Sequence, residues 1–362
     1  MIKSFLLLII ASIIVVSFPK SLRAQEVKDV LQDTIRVLSA NDEQVAEKEY
    51  NKGVILLQSN KYNEAIGSFN KAISIKVKFP EAFYNRASAK FSKGDYYGAI
   101  NDYNSAITLN AIAKYYLARA IANYKYEEYS GAKDDLEKTI LLDKGKYRND
   151  ANYYFGCVLF VEQRYDEAIT HFTLVIDKDK EYVYAYHDRG SCYKMQKKYQ
   201  LAIDDYKKAL AIDPDLAIAY NNIAAIEKLS KNYEGAIADY TSAISVDKNN
   251  AMAYNNRGAV YKELGKYDEA LEDFNNAIRI NPEYAIAYGN RGNLKFSKQE
   301  YKEALLDYDE ALRLDTEYGI GYLNRGICKE LLRDDIGACE DWSKADALGV
   351  TAAGNYLNAQ CK

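Results

Sequence analysis

Three features of the 362-residue sequence predict an all-α solenoid of about nine helix-turn-helix units, closed by a C-terminal capping helix. The first is a period: Ala65, Ala99, Ala132, Ala168, Ala202, Ala236, Ala270, Ala304 and Ala338 follow one another at 34 residues, apart from one interval of 33 and one of 36. Periods of this length belong to stacked repeat architectures. The second is a pair of small positions. With slots counted from the start of each unit, these alanines fill slot 20, and slot 8 holds Gly53, Ala87, Ala120, Gly156, Gly190, Ala224, Gly258, Gly292 and Gly326. Small residues there let two helices approach closely. The third is a set of bulky wedges, tyrosine at slot 17 in every unit but the ninth (Asp335) and Phe69, Tyr103, Leu136, Phe172, Tyr206, Tyr240, Phe274, Tyr308 and Trp342 at slot 24.

In chain order, residues 1–24 read as a secretory signal peptide: Lys3 precedes an apolar run from Phe5 to Phe18, and Ala24 supplies a small residue before Gln25. The run is shorter than the roughly 20 residues that span a bilayer, so a cleaved signal is expected rather than an anchor. The mature chain is then exported, periplasmic or envelope-associated, with no membrane span. Removing Lys3, Lys20 and Arg23 leaves 45 basic against 52 acidic residues, a net charge of −7. Residues 25–45 show weak periodicity and read as a tether or N-terminal cap. Nine units follow at 46–79, 80–112, 113–148, 149–182, 183–216, 217–250, 251–284, 285–318 and 319–350. Polar or glycine-containing turns such as Lys93-Gly94-Asp95 divide each into two helices, and Pro80, Pro214 and Pro282 fall at unit boundaries, where no helical hydrogen bond is lost. Unit four departs from the pattern, with Asn152 at slot 4 and two extra residues near Tyr147. Its register is left open and a bend is expected there. Leu348-Gly349-Val350-Thr351 reads as a helix stop followed by an N-cap, and residues 351–362 as the capping helix.

Composition excludes several classes. A weakly acidic chain of pI about 5.6 lacks the basic surface that nucleic-acid binding needs. With two histidines, no phosphate loop and no nucleophile elbow, the sequence offers no catalytic, metal-binding or cofactor-binding residues. Five cysteines do not make an even disulfide framework, but Cys339 and Cys361 fall at the same end of the last helical hairpin and form a candidate pair.

The unit Ala251 to Tyr284 carries Tyr254, Gly258, Tyr261, Tyr267, Ala270, Phe274, Ala277 and Pro282, and in these positions it resembles a tetratricopeptide repeat. The resemblance implies a right-handed superhelix whose first helices line a concave groove, and a non-catalytic scaffold that binds a peptide segment or partner protein there. The scaffold is expected to work within an envelope or surface assembly; a periplasmic chaperone-like carrier of unfolded or secreted clients and an accessory subunit of an envelope enzyme or cell-wall glycan-binding protein are the alternatives, and pairing of two copies is left open.

Two sets of residues follow. Slot 7 holds Arg86, Arg119, Arg189, Arg257, Arg291 and Arg325, and slot 23 of the same units holds Asp102, Asp135, Asp205, Asp273, Asp307 and Asp341. Folding each hairpin at its turn brings these together, so a structural ion-pair ladder is expected. The groove slots implied by the resemblance hold aromatics in the first four units, Tyr50, Tyr84, Phe91, Tyr124, Tyr153 and Phe160, suited to gripping apolar ligands. Later units turn polar, with His187, Asn221, Asn222, Asn255, Asn256 and Asn290, whose amides can pair with a peptide backbone. Lys194, Lys228 and Lys262 form a positive stripe suited to an acidic or C-terminal peptide. Asn51 and Asn85 sit where some relatives clamp a terminal carboxylate, but Glu47 and Glu81 replace the lysines such a clamp uses.

Overall fold

The computed structural model describes residues 42–143 and 145–361, so the signal peptide and residues 25–41 lie outside the described residues. Nineteen helices and no strand occur among the described residues, the all-α solenoid that the sequence predicts. The first described helix is Asp42–Gln58. The chain divides into two compact units, one ending at Lys198 and one spanning Tyr199–Lys362. The first contains four complete hairpins and the Val183–Met195 helix of repeat five; the second opens with that repeat's other helix, Tyr199–Ile212, and continues through four hairpins to the terminal helix Thr351–Gln360.

Close approach of the two helices in each hairpin explains the small residues of slot 8. A Cβ on Gly156 would lie 2.6 Å from the Phe172 ring, and one on Gly326 2.5 Å from the Trp342 indole nitrogen. Phe172, Phe274, Tyr308 and Trp342 are buried against these gaps, so each hairpin closes on an aromatic wedge. The same pairing in repeat four, Gly156 against Phe172, shows that its register matches the others. Its two extra residues are taken up in the preceding turn, where Asp143 Oδ2 accepts the backbone N–H groups of Tyr147 at 2.7 Å and Arg148 at 2.9 Å.

The turn between the helices has a constraint that residue types conceal. Slot 15 has positive φ in all nine repeats, at Asn60, Gly94, Glu127, Gln163, Lys197, Lys231, Gly265, Gln299 and Arg333. Only two of these are glycine. A non-glycine residue pays roughly 1–2 kcal/mol in the left-handed region, partly offset by glycine's own entropy cost on folding. Lys231→Gly and Arg333→Gly are each expected to stabilise their repeat by about 0.5–1 kcal/mol, read as a rise in denaturation midpoint; a fall in both would refute this account. At the C terminus Gly349 has φ +84°, as a helix stop should. Thr351 is the first helical residue rather than an N-cap, and Val350, which precedes it, makes no side-chain cap.

Candidate interaction face

Five of the six Arg/Asp pairs lie within one unit, and all five are bidentate. In repeat seven Arg257 Nε and Nη2 donate to the two Asp273 oxygens at 2.9 and 2.8 Å, and in repeat nine Arg325 does the same to Asp341 at 2.8 and 2.6 Å. Arg86 with Asp102, Arg119 with Asp135 and Arg291 with Asp307 repeat the geometry. The aspartate side chains are only 4–6% exposed, the arginines 16–23%. Burial pushes the Asp135 and Asp273 carboxyls above their usual range despite the arginines, whereas hydrogen bonding to these carboxylates raises Arg119 and Arg257. Arg189 and Asp205 fall on opposite sides of the boundary between the compact units.

Each arginine also has a second hydrogen-bond partner that sequence reasoning missed. Its Nη1 reaches back to slot 25 of the preceding repeat: Asn70, Asn104, Thr173, Thr241, Asn275 and Asp309 accept from Arg86, Arg119, Arg189, Arg257, Arg291 and Arg325. The guanidinium carbon lies 5.3 to 5.7 Å from the slot 4 ring of its own helix, Phe83, Tyr116, Tyr186, Tyr254, Tyr288 or Tyr322. The ladder therefore couples repeats as well as closing hairpins. A signal was present, since slot 25 carries Glu137 or Lys207 ahead of the two later units that lack arginine.

Those two units replace the rung differently. In repeat four Phe155 stacks on His171 at 4.5 Å between centroids, and His171 Nδ1 lies 3.0 Å from Asn152 Oδ1. The missing slot 4 aromatic thus serves the substituted rung. In repeat six Ile223 stands in the arginine's place, and Asp239 meets the carboxyl of Glu227 instead, with Lys207 of the preceding helix nearby. Desolvation, and for Glu227 also the adjacent Asp239 charge, raises both carboxyls. A carboxyl raised in the folded state favours folding below its folded pKa and disfavours it above. Glu227→Gln should therefore raise the melting temperature at pH 7, with the gain shrinking towards about pH 4, where carboxylates are ordinarily protonated. A gain independent of pH would exclude this origin.

The groove residues divide sharply by burial. Tyr50, Tyr84, Tyr124, Tyr153 and Phe160 are buried: Tyr50 packs 4.8 Å from Phe79 and Tyr84 5.0 Å from Tyr115 between ring centroids. They form the seams between helices, a correction to the expectation that they line an accessible groove. Phe91 is half-buried beside Tyr96. His187, Asn85, Asn221, Asn222 and Asn255 are also buried. For Asn85 and Asn255, as for Tyr50 and Tyr153, the reason is a bond across repeats, between slot 5 of one and slot 6 of the next: Asn85 Nδ2 donates to Tyr50 Oη at 2.8 Å, Tyr153 Oη to Asp188 Oδ2 at 2.8 Å, and Asn290 Nδ2 to Asn255 Oδ1 at 2.9 Å. His187 Nδ1 lies 2.8 Å from Asp188 Oδ1. Half-buried and partly accessible are Asn51, Asn256 and Asn290, together with Asn324, which the sequence reading did not single out.

The lysine stripe is weaker than its spacing suggests. Burial lowers Lys194 to about 8 and also lowers Lys262, while Lys228 Nζ lies 3.4 Å from Glu263 Oε1. Among the described residues no helix is long and apolar enough to cross a membrane.

Comparison with known proteins agrees with this architecture. Family profiles described as tetratricopeptide repeat match residues 183–216 and 251–284, and 80–112 and 285–318, and one described as TPR repeat matches 53–92 and 226–265. RNA polymerase II-associated protein 3 of Xenopus laevis is 35% identical over 107 residues, 29% of this chain and 16% of that protein. A DnaJ homolog subfamily C member 7 homolog of Dictyostelium discoideum is 35% identical over 102 residues, 27% of this chain and 19% of its own length. The chain thus spans less than a fifth of the curated relatives it matches. Among solved structures, a tetratricopeptide repeat protein from Parabacteroides merdae superposes with a TM-score of 0.56 at 18% identity, covering 69% of this chain and 99% of that one. Pseudomonas aeruginosa pilF gives 0.52 at 20% identity, covering 58% and 96%.

Proposed function

Because the chain belongs to the tetratricopeptide repeat family, we propose that it is a non-catalytic interaction scaffold that holds a peptide segment or partner protein on the first-helix face of its repeats. The observation that carries this reading is the amide row Asn256, Asn290 and Asn324, at slot 6 of three consecutive repeats and partly accessible in each. An amide both donates and accepts, so one residue per repeat can pair with a partner's backbone irrespective of its sequence. The row lies wholly within the Tyr199–Lys362 unit.

The protein acts outside the cytoplasm, within an envelope or surface assembly. The N-terminal signal pattern supports export, as does the disulfide between Cys339 and Cys361, a bond that persists in oxidising compartments. The carrier alternative calls for accessible aromatic rings in the first four units, and the burial of Tyr50, Tyr84, Tyr124, Tyr153 and Phe160 favours the scaffold instead. The test is capture from the native envelope with residues 25–362 as bait, beside a variant carrying Asn256→Ala, Asn290→Ala and Asn324→Ala. The expected outcome is a discrete partner retained by the parent and lost by the variant. Recovery of the same partner by both would place binding elsewhere.

A further inference from the structure

The amide row has an aliphatic neighbour. Slot 2 holds Ile218, Met252, Ile286 and Ile320 in four consecutive repeats of the second unit, one turn before slot 6 on the same helix face. Ile286 is 47% and Ile320 46% exposed, and Ile218 and Met252 are half-buried. Further along that face, slot 9 carries the half-buried Ala225, Ala259, Asn293 and Ile327. No side chain in these three rows is charged; of the two nearby lysines, Lys228 is answered by Glu263 and Lys262 is lowered by burial. Such a face penalises an acidic ligand less by repulsion than by offering it nothing, and it rewards apolar area removed from water.

Spacing narrows the ligand further. Adjacent first helices lie side by side, as the 2.9 Å bond from Asn290 to Asn255 and the 2.8 Å bond from Asn324 to Asn293 require. Packed helices are separated by about 8–10 Å. A β-strand presents same-face side chains every ~6.6 Å and would drift out of phase with the repeats. A polyproline II chain returns to the same face every three residues, about 9 Å, in step with them. It also leaves its own N–H and C=O groups unpaired, available to the amide row.

We propose that this face takes an extended, uncharged peptide segment in the polyproline II conformation with an aliphatic side chain at every third residue, one per repeat. The proposal rests on the scaffold reading above and specifies the chemistry of its partner. The Ile218, Met252, Ile286 and Ile320 row seats the aliphatic groups, and Asn256, Asn290 and Asn324 pair with the backbone between them.

The probe is a fluorescein-labelled ten-residue peptide with leucine at positions one, four, seven and ten and proline and serine between, titrated by fluorescence polarisation against residues 25–362. The control has the same composition with leucine at one, three, five and seven. The first peptide is expected to bind at least tenfold more tightly, and Ile286→Asp with Ile320→Asp to abolish that preference while circular dichroism and melting temperature stay at parental values. Equal affinity for both peptides, no binding of either, or a preference that survives the double substitution would overturn the proposal. So would a parent chain that sediments as a dimer and becomes monomeric in the double variant, because the row would then bind a second copy of this chain. The envelope capture separates the two readings: a partner lost with the asparagine variant but kept by Ile286→Asp with Ile320→Asp leaves the scaffold reading standing and removes the aliphatic one.

Discussion

Arg257→Leu is expected to destabilise the second unit by about 3–5 kcal/mol, the cost of leaving a buried charge without its partner. Asp273 is 4% exposed at its side chain and takes both oxygens' hydrogen bonds from Arg257. Leucine restores none of them. The neighbouring slot 11 residue is Tyr261, which supplies no positive charge, and the link to Thr241 of the preceding repeat goes as well. Repeat eight provides an internal control. There Lys295 Nζ lies 2.8 Å from Asp307 Oδ2, so the carboxylate keeps one cation when Arg291 is replaced. Arg291→Leu should cost nearer 1.5–3 kcal/mol, the range for a lost hydrogen bond to a charged group. Combining Arg257→Leu with Asp273→Leu should recover most of the loss, since replacing a whole buried pair with apolar residues is often neutral. Urea denaturation followed by two probes is the measurement, because repeat arrays need not unfold in one step. Equal losses for Arg257→Leu and Arg291→Leu would show that the lysine does not share the charge, and no loss for either would show that the ladder contributes nothing.

What could be read from the sequence depended on whether a contact is fixed within a hairpin or between hairpins. Slot 7 faces slot 23 because sixteen residues of helix, turn and helix leave little freedom, and the observed separation is 16 in every described pair. The Arg257 bond to Thr241 joins different repeats, and nothing in the residue types of one unit specifies it. The aromatic expectation failed for the same reason. Tyr50 and Tyr153 point along the first-helix face when a single helix is considered, but the next repeat lands on them through Asn85 and Asp188. A ring at helical spacing buries 150 Å² or more when packed, on the order of the largest gain any side chain offers, so a stack of helices closes over it. The left-handed turn at slot 15 was hidden for another reason. Glu127, Lys231 and Arg333 are forced into that conformation by the hairpin, against their own preference, so tertiary structure sets the backbone and the residue type leaves no mark.

Cys361→Ser is expected to release the terminal helix at a cost of about 3 kcal/mol. The disulfide joins Cys339, in the Asp335–Ala347 helix, to Cys361, just after Thr351–Gln360, with Cα atoms 5.7 Å apart and a sequence separation of 22. A loop of that size constrains the unfolded chain by roughly 3 kcal/mol in the chain-entropy account. The ten-residue helix it secures is below the roughly 12–15 residues at which an isolated helix becomes stable in water. Its remaining attachments include the buried Ala353, the partly buried Leu357 and the stacking of Tyr356 on Trp342 at 4.9 Å between centroids. Those contacts are small against the entropy of ordering the segment, so without the staple the helix should fray and uncover Trp342. Because repeats couple mainly to their neighbours, the effect should be local. Hydrogen exchange in Cys361→Ser, or in the parent after reduction, should quicken across 351–361 and in the last repeat while the Pro80–Ser92 helix keeps its protection. Unchanged exchange across 351–361 would mean that packing alone holds the cap, whereas loss of protection at Pro80–Ser92 as well would mean that the staple sets the stability of the whole array rather than that of its end.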